Sequence, residues 1–573
     1  MIRPLCASLV ALMLMLSPAV AQQELQSPRA AGTEPWLGIN LTELRDYQPQ
    51  MPFIDIMKTA REWTGHLPGQ WGGWDEDDLR AADALDADGW LRRVPPELER
   101  VSAILMADLE EDTGAVAGNY RLTHDGQGRI ELRGRVGGTR RQGRNTLWFS
   151  YSPGPGIVEI SISQTDPDDP IRNIEIVHER HIAAHEAGEI FNPDWLARMD
   201  GMALFRFMSW ANINYTTLAQ WQDRPLVSNY TWTRDGVPLE IMIRLANETG
   251  AEPWISLPHR ADDEFFAEAA AMIREQLDPD LRAWIELSNE TWNWSFNQAQ
   301  DAIRFAEERW GDRNQWQQWY AMRAAQMVQI FDQVFDGQED RLVRVLATHT
   351  GWLGLEEQLL APLWQAESPD NPPPPELFDA YAITGYFSAL LGYDEKIDIT
   401  RGWVEDARAT ARADGEARGL GGQALDDHIR QMSHDILRPR LIEEMRDGRH
   451  SGDARDTIQT YLNETLPYHL GVAQDWGLDL VAYEGGTHLV GVGAHMQDEV
   501  LADLFIDVNY SEGMGALYTE LLQGWFAGGG GQFVHYSDVR RPSIWGSFGA
   551  LRHLTDNNPR WDALVGFDPA SVQ

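Results

Sequence analysis

Two glutamates stand at the ends of apolar, extended-looking segments of this chain. Glu290 closes the segment AWIELSNE, residues 283–290, and Glu484 lies in LDLVAYEGG, residues 478–486. An ionised carboxylate is costly to bury, so a carboxylate at the end of an apolar segment suggests a chemical role. A pair of carboxyl groups, one protonated and one ionised, is what the cleavage of a glycosidic bond requires.

The surroundings of Glu290 fit chemistry on a sugar ring. Trp284, Trp292 and Trp294 lie within a few residues of it, and indole rings offer flat apolar platforms to sugar faces. Arg206 ends another strand-like segment, MALFRF, residues 202–207. A guanidinium near one of the two carboxyl groups would keep that group charged.

The elements that must position these residues follow from the alternation along the chain. From residue 181 to 566, strand-like and helical segments alternate, and residues 34–96 are predicted to supply a first strand and a helix at 51–63. Strict alternation predicts a parallel sheet with crossover helices, an α/β fold. The predicted strands begin near residues 36, 203, 252, 284, 342, 379, 478 and 531. Eight such strands close into a (β/α)8 TIM barrel.

Residues 97–180 have a different pattern of apolar and polar residues. Runs such as RIELRGRV, residues 129–136, and GIVEISISQT, residues 156–165, alternate with a period near two between Gly- and Asp-rich turns. This period predicts antiparallel strands. The sequence therefore predicts a sandwich-like antiparallel β domain inserted between the first and second barrel strands.

The carboxyl ends of all strands of such a barrel meet at one mouth, where active sites lie. The residues predicted at this mouth are Asn40, Arg206, His259, Asn289, Glu290, His349, Tyr386, Tyr483, Glu484, His488, His535 and Tyr536, with Trp545 just beyond. Glu286 shares a strand face with Glu290, and a buried ion pair is expected for it. Trp292, Trp352 and Trp545 are interpreted as site walls in preference to core. His259 and His349 fit buried hydrogen-bonding positions and sugar contacts equally well.

The segments LSNETWN, residues 287–293, and AYEGGTHL, residues 482–489, carry a family resemblance. Together they resemble the strand-four and strand-seven signatures of clan A retaining glycoside hydrolases, especially the bacterial secreted branch with S-N-E-x-W-N and Y-E-G-G. The resemblance covers about residues 200–560 and the first strand. The antiparallel segment has no counterpart in it.

The resemblance implies roles for individual residues. Glu290 would be the acid/base, Glu484 the nucleophile, and Asn289 would hold the sugar 2-hydroxyl. Arg206 matches the strand-two arginine, and Tyr386 matches the tyrosine beside the nucleophile. Further substrate contacts are predicted at His259, His349, Trp292, Trp352, His488 and Trp545.

The prediction is a retaining hydrolase of a β-linked polysaccharide or oligosaccharide. Two other functions fit the same residues: a carbohydrate-binding barrel that no longer catalyses, and a transglycosylase in which a sugar hydroxyl replaces water. The sugar, the linkage, endo or exo action and the oligomeric state stay open, because one barrel hosts many chemistries.

Residues 1–21, with Arg3, an apolar run and the sequence Ala19-Val20-Ala21, are typical of a cleavable signal peptide. Cleavage after Ala21 and a secreted or periplasmic location are expected, with no membrane anchor afterwards. The only cysteine, Cys6, lies inside this segment, so the mature chain would have no disulfide.

The net charge of −41 makes nucleic acid a poor partner. No cofactor is expected. The run HERHIAAHE, residues 178–186, departs from H-E-x-x-H, so no metal site is expected either.

Overall fold

A computed structural model describes residues 36–572 of the chain. The predicted signal peptide, residues 1–21, lies outside the described residues. The strands in chain order are β1 (Leu37–Asn40), β2 (Thr64–His66), β3 (Gly73–Trp74), β4 (Arg100–Leu105), β5 (Gly118–Asp125), β6 (Gly128–Gly134), β7 (Gly137–Arg141), β8 (Thr146–Tyr151), β9 (Val158–Thr165), β10 (Arg172–His178), β11 (Leu204–Arg206), β12 (Glu252–Leu257), β13 (Ala283–Leu287), β14 (Leu342–Ala347), β15 (Ala380–Phe387), β16 (Asp479–Thr487) and β17 (Phe533–Tyr536).

Within residues 36–572, the α-helices lie between and after these strands. They are α1 (Glu76–Ala81), α2 (Ile182–Glu186), α3 (Pro193–Met199), α4 (Leu239–Thr249), α5 (Asp263–Gln276), α6 (Asn297–Trp310), α7 (Trp316–Val334), α8 (Pro362–Glu367), α9 (Ile397–Ala417), α10 (Gln423–Asp447), α11 (Ile458–Thr460), α12 (Leu466–Trp476), α13 (Glu499–Asn509), α14 (Glu512–Ala527) and α15 (Pro559–Gly566).

Eight parallel strands form a closed barrel in the order β1-β11-β12-β13-β14-β15-β16-β17. Each strand pairs with its neighbour in parallel, and β17 pairs back with β1. The prediction of an eight-stranded parallel barrel with helices is confirmed. Most residues of these strands are buried, as expected for a parallel sheet covered by helices on its outer face.

Helix ends carry the signals that the sequence offers. Asp262 begins α5 by accepting a hydrogen bond from the Phe265 N–H, and Asp498 caps α13 in the same way. Gly250, Gly311 and Gly477 end α4, α6 and α12 in the left-handed conformation, which glycine adopts without strain. These caps set where each crossover returns to the barrel.

Two antiparallel sheets lie between β1 and β11 in the sequence. One has the order β10-β5-β8-β7 and the other β3-β2-β4-β9-β6. The second sheet includes β2 and β3, which precede residue 97, and the hydrophobic core runs continuously from these sheets into the barrel. That these sheets form a separate inserted domain with boundaries at 97 and 180 stays a prediction.

The helix predicted over residues 51–63 is wrong. This segment contains only a 3-10 turn, Ile56–Thr59. The backbone on its N-terminal side pairs instead with distant residues, through bridges from Phe53 to Phe191 and from Asp55 to Val177. The Asp55 carboxylate accepts hydrogen bonds from the N–H groups of Met57 and Ile176, at 3.0 and 2.9 Å. Tertiary pairing therefore takes the backbone groups that a helix would have used.

Among residues 36–572, none of the helices combines the length and the apolar character that a membrane crossing needs.

Candidate active site

Arg206, the last residue of β11, lies at the centre of the barrel mouth with no exposed surface. Its guanidinium donates to two carboxylates, with Nη2 2.8 Å from Glu286 Oε2 and Nη1 2.9 Å from Glu484 Oε1. Burial alone would lower the pKa of Arg206, but the charges of Glu286 and Glu484 raise it above its ordinary value. Arg206 is therefore a permanent positive charge that joins two strands of the mouth.

Glu286 completes this buried network on β13. Besides Arg206, its Oε2 accepts hydrogen bonds from Trp254 Nε1 at 2.9 Å and Ser256 Oγ at 3.2 Å. The prediction of a buried ion pair for Glu286 is confirmed. These contacts hold Glu286 in place, and Glu286 in turn holds Arg206.

Glu484, on β16, is buried and receives two charge-stabilising hydrogen bonds. Arg206 donates to Oε1, and the Tyr386 hydroxyl donates to Oε2 at 3.0 Å. Burial, the largest effect, and the nearby charge of Glu290 raise the pKa of Glu484 to about 8, although Arg206 lowers it in part. The charge of Glu290 therefore acts on the Glu484 carboxyl group.

Glu290 follows β13 after a sharp change of backbone direction. Ser288 and Glu290 both adopt positive φ, at 62° and 38°, which is uncommon for residues other than glycine. The carboxylate accepts hydrogen bonds from Tyr483 OH to Oε1 and from Asn293 Nδ2 to Oε2, both at 2.9 Å. Non-glycine residues with positive φ cluster at functional sites, where the backbone has to hold a side chain in one direction.

Asn289 lies behind Glu290 and is held from both sides. Its Oδ1 accepts from Arg206 Nη2 at 3.0 Å, and its Nδ2 donates to Asn214 Oδ1 at 3.0 Å. Gln298, in α6, donates to Asn214 Oδ1 and to the Asn289 carbonyl. The orientation of the Asn289 amide follows from these partners.

A cleft of about 830 Å³ opens at this mouth. Five of the predicted site residues line it: Glu290, Trp292, His349, Tyr386 and His488. Glu484 contacts this lining through Tyr386, and Arg206 and Asn289 lie behind it. Its volume and mixed polar and aromatic lining fit several sugar rings.

Two histidines of the lining are predominantly neutral at pH 7. Burial lowers the pKa of His488 to about 4, and it lowers the pKa of His349 as well. His488 Nδ1 lies 3.0 Å from Tyr393 OH, and Gly351 N–H donates to His349 Nδ1. The neutral His349 ring therefore carries its proton on Nε2, a donor suited to a hydroxyl.

Besides Glu484, Arg206 and Asn289, three further predicted site residues do not line this cleft. His259 is buried with Nε2 2.7 Å from Asp301 Oδ2. The Trp352 ring packs against Trp316 and the residue is 45% exposed, while Trp545 is 60% exposed. Their predicted contacts with substrate stay predictions.

The carboxylate of Asp301 is expected to stabilise the fold in a pH-dependent way. Burial raises its pKa, but hydrogen bonds from Arg260, His259 and Arg304 lower it to about 2. Because the folded pKa lies below the unfolded one, this stability is present above about pH 4 and is lost as the pH falls toward 2.

We expect Asp301→Asn to lower the free energy of unfolding by about 1–2 kcal/mol at pH 7, since solvent screens part of the interaction. Urea unfolding at pH 7 and pH 3 measures it, and the difference from wild type should shrink at pH 3. Glu308→Gln, exposed on the same helix α6, is the control and should change little. An equal loss at both pH values would contradict this account.

Some residues of the site were not among those predicted to act there. Tyr483 was placed at the mouth without a role, and Asn293, Tyr393 and Asp456 were not singled out. Asn293 had a signal, because it lies three positions after Glu290 in the SNETWN run. Tyr393 and Asp456 lie in a long connection with no local signal.

A second cavity of about 830 Å³ lies away from the strand ends, beside α10 and α13. Four arginines line it, and each pairs with a carboxylate: Arg430 with Asp503, Arg438 with Asp507, Arg446 with Glu520 and Arg552 with Asp556. The arginines of this cavity therefore belong to a surface network of ion pairs. Within the described part of the chain, no cluster of three or more metal-ligating side chains occurs.

No protein-family model and no curated protein matches this chain. Among solved structures, it is similar to a fungal β-1,4-galactanase at 9% identity and a TM-score of 0.28, over 67% of this chain and 96% of that one. It is also similar to the GH53 catalytic domain from Ignisphaera aggregans, at 11% identity and a TM-score of 0.24, over 67% and 90% of the two chains. At these values the assignment of function has to come from the site itself.

Proposed function

We propose that this protein is a secreted or periplasmic retaining glycoside hydrolase that cleaves a β-linked polysaccharide or oligosaccharide. The observation that carries the proposal is that Glu290 lines the cleft while Glu484 lies directly behind its wall, bonded to the lining residue Tyr386. Each carboxylate is held by two side-chain hydrogen bonds, and the two interact electrostatically. Aromatic side chains line the same cleft, as a sugar-binding site requires.

In the proposed reaction, a Glu484 oxygen attacks the anomeric carbon and forms a glycosyl-enzyme bond. At the same time Glu290 gives its proton to the glycosidic oxygen, which leaves with the bonding electron pair. Glu290 then takes a proton from water, whose oxygen attacks the anomeric carbon and releases Glu484. The anomeric configuration is retained because it is inverted twice.

The contacts of Glu484 support its proposed role as the ionised group. Arg206 and Tyr386 both donate to Glu484, and donors to a carboxylate favour its ionised form. Burial and the charge of Glu290 act in the opposite direction and raise the pKa of Glu484. The proposed reaction needs the negative charge on Glu484 and the proton on Glu290 when the substrate binds.

A screen of the purified protein against β-glucans, mannans and xylans, with reducing ends as the readout, tests the proposal. New reducing ends whose first-formed anomer, by NMR, matches the configuration of the cleaved bond would support it. Glycan binding without new reducing ends would favour a carbohydrate-binding barrel instead. Products longer than the substrate at high acceptor concentration would indicate transglycosylation.

Tyr386→Phe is expected to shift the acidic limb of the pH–rate profile to higher pH. Loss of the hydroxyl removes a donor to the Glu484 carboxylate, so the pKa of Glu484 rises and a higher pH is needed to ionise it. A hydrogen bond to a charged group contributes about 1.5–3 kcal/mol, which corresponds to a shift of about one pH unit or more.

The measurement is kcat/KM against pH for wild type and variant. Tyr461→Phe is the matched control, because Tyr461 also lines the cleft but donates to the Thr384 carbonyl. An unmoved limb in Tyr386→Phe, or equal shifts in both variants, would remove Tyr386 from the proposed role.

A further inference from the structure

One wall of the cleft comes from the long connection between β15 and β16. The lining residues that it contributes are Leu390, Tyr393, Arg455, Asp456, Thr460, Tyr461 and Thr465. Tyr461–Thr465 forms a π-helical turn between α11 and α12, a local irregularity that is frequent at functional sites. Asp456 is the only carboxylate that this wall presents among the lining residues.

The backbone around Asp456 is built to hold one conformation. Asp456 has φ +56°, and Ala389 and Leu390, which lie beside it, have φ +52° and +58°. The N–H groups of Ser388 and Ala389 donate to the Asp456 carbonyl at 3.2 and 2.7 Å, and the Ser388 hydroxyl donates to Asp456 Oδ2. Three left-handed residues other than glycine persist only where the surroundings impose them.

A buried ion pair anchors the loop that carries Asp456. Lys396 Nζ lies 2.9 Å from Glu444 Oε1, and both side chains are buried. Glu444 Oε2 accepts the N–H groups of His450 and Ser451 at 2.9 and 3.1 Å. Lys396 also donates a hydrogen bond to the Asp453 carbonyl. This bond fixes the loop backbone at a position three residues before Asp456.

Ionisation of this carboxylate lowers the stability of the fold. Its surface is accessible from the cleft, yet the surrounding protein desolvates it and raises the pKa of Asp456 to about 6. When the pKa of a carboxyl group is higher in the folded state than in the unfolded state, the folded state loses stability as the pH rises from about 4 to 6. A charged group kept in spite of this is a candidate for function.

The charges of the lining indicate the class of glycan. Glu290 and Asp456 are its carboxylates, and its one arginine, Arg455, is paired with Asp453 at 2.7 Å. His349 and His488 have lowered pKa values and are predominantly neutral at pH 7. Among the described residues that line the cleft, no unpaired cationic side chain is available to bind an acidic sugar.

We propose that Asp456 determines specificity by accepting hydrogen bonds from the hydroxyls of an uncharged glycan and repelling glycans that carry uronate or sulfate. The inference rests on the proposed function, in which this cleft is the glycan-binding site. The carboxylate accepts and cannot donate, so it matches hydroxyl donors and rejects carboxylate acceptors.

Asp456→Asn tests this with Asp398→Asn as control, since Asp398 is exposed in α9 of the same connection. Kinetics with neutral gluco- or manno-oligosaccharides should show KM raised about tenfold or more, with kcat changed by less than about twofold, because a charged hydrogen bond is lost. Calorimetry in the Glu484→Gln background measures binding to neutral and uronate-bearing oligosaccharides of equal length. There, adding Asp456→Asn should lower the preference for the neutral oligosaccharide by a similar factor. Asp398→Asn should match wild type in both.

The melting temperature of Asp456→Asn at pH 7 should equal or exceed that of wild type, which separates a lost contact from a lost fold. An unchanged KM and an unchanged preference in the folded variant would overturn the inference, as would tighter binding of uronate-bearing glycans by wild type. If no glycan is cleaved but Asp456→Asn weakens the binding of neutral ones, the proposed hydrolysis fails while the inference on specificity holds. If wild type cleaves glycans and Asp456→Asn behaves as wild type, the inference alone fails.

Discussion

Glu484→Gln should lose more than about 10³-fold in kcat/KM on any glycan that the wild type cleaves, because an amide cannot attack the anomeric carbon. Glutamine keeps one oxygen for the Arg206 donor, and its amide N–H can donate to the Tyr386 hydroxyl, so the fold should be retained. Glu290→Gln should lose about 10²–10⁴-fold, the usual contribution of a general acid or base.

The two variants should differ in how they respond to the leaving group. A substrate whose leaving group needs no proton, such as an aryl glycoside with an acidic phenol, bypasses the first task of Glu290. We expect such a substrate to restore the glycosylation step in Glu290→Gln and to leave Glu484→Gln inactive. A burst of released phenol followed by slow turnover is the measurement, since only the second step still needs a base.

The chain provides a matched control for this experiment. Asn247 and Glu248 repeat the Asn-Glu pair of the cleft, but Glu248 is exposed on α4 and pairs with Arg244. Glu248→Gln should retain full activity. Full activity in Glu290→Gln or Glu484→Gln would show that the roles are assigned to the wrong residues.

Arg206→Met should be the most destabilising single change in the barrel mouth. It leaves Glu286 and Glu484 buried without their shared cation, and removing one partner of a buried ion pair costs about 3–5 kcal/mol. Arg206→Lys should be intermediate in stability, because one ammonium group cannot reproduce the fork that reaches both carboxylates and Asn289. Chemical unfolding at pH 7 measures the difference in free energy.

A double variant shows that the loss comes from unpaired charge. Adding Glu286→Gln to Arg206→Met removes one orphaned carboxylate, and we expect it to recover part of the lost stability. Arg92→Ala is the control, since the Arg92–Asp83 pair is exposed at both ends and should contribute no more than about 1 kcal/mol. Purely additive losses in the double variant would contradict a coupled buried network.

Several features of the barrel could be read from local patterns. Alternating apolar strands and amphipathic helices predicted its eight parallel strands, because the period of apolar residues reports which faces are covered. Asp262 at the start of α5 and Gly311 at the end of α6 set helix boundaries through equally local chemistry. The helix predicted at 51–63 failed where Phe53 and Asp55 pair with residues more than a hundred positions away.

By itself, the sequence determined the barrel and the ends of the strands on which Arg206, Glu290 and Glu484 lie. Local periodicity and residue type are sufficient for that, since each strand end lies at the same mouth once the sheet closes. Only the tertiary structure decided which of these residues touch. Arg206 bonds to Glu286 and Glu484 across separations of 80 and 278 residues, and Asp456 enters the cleft on a loop anchored by Lys396 and Glu444. Such contacts depend on how distant segments pack, a property that no stretch of the chain carries alone.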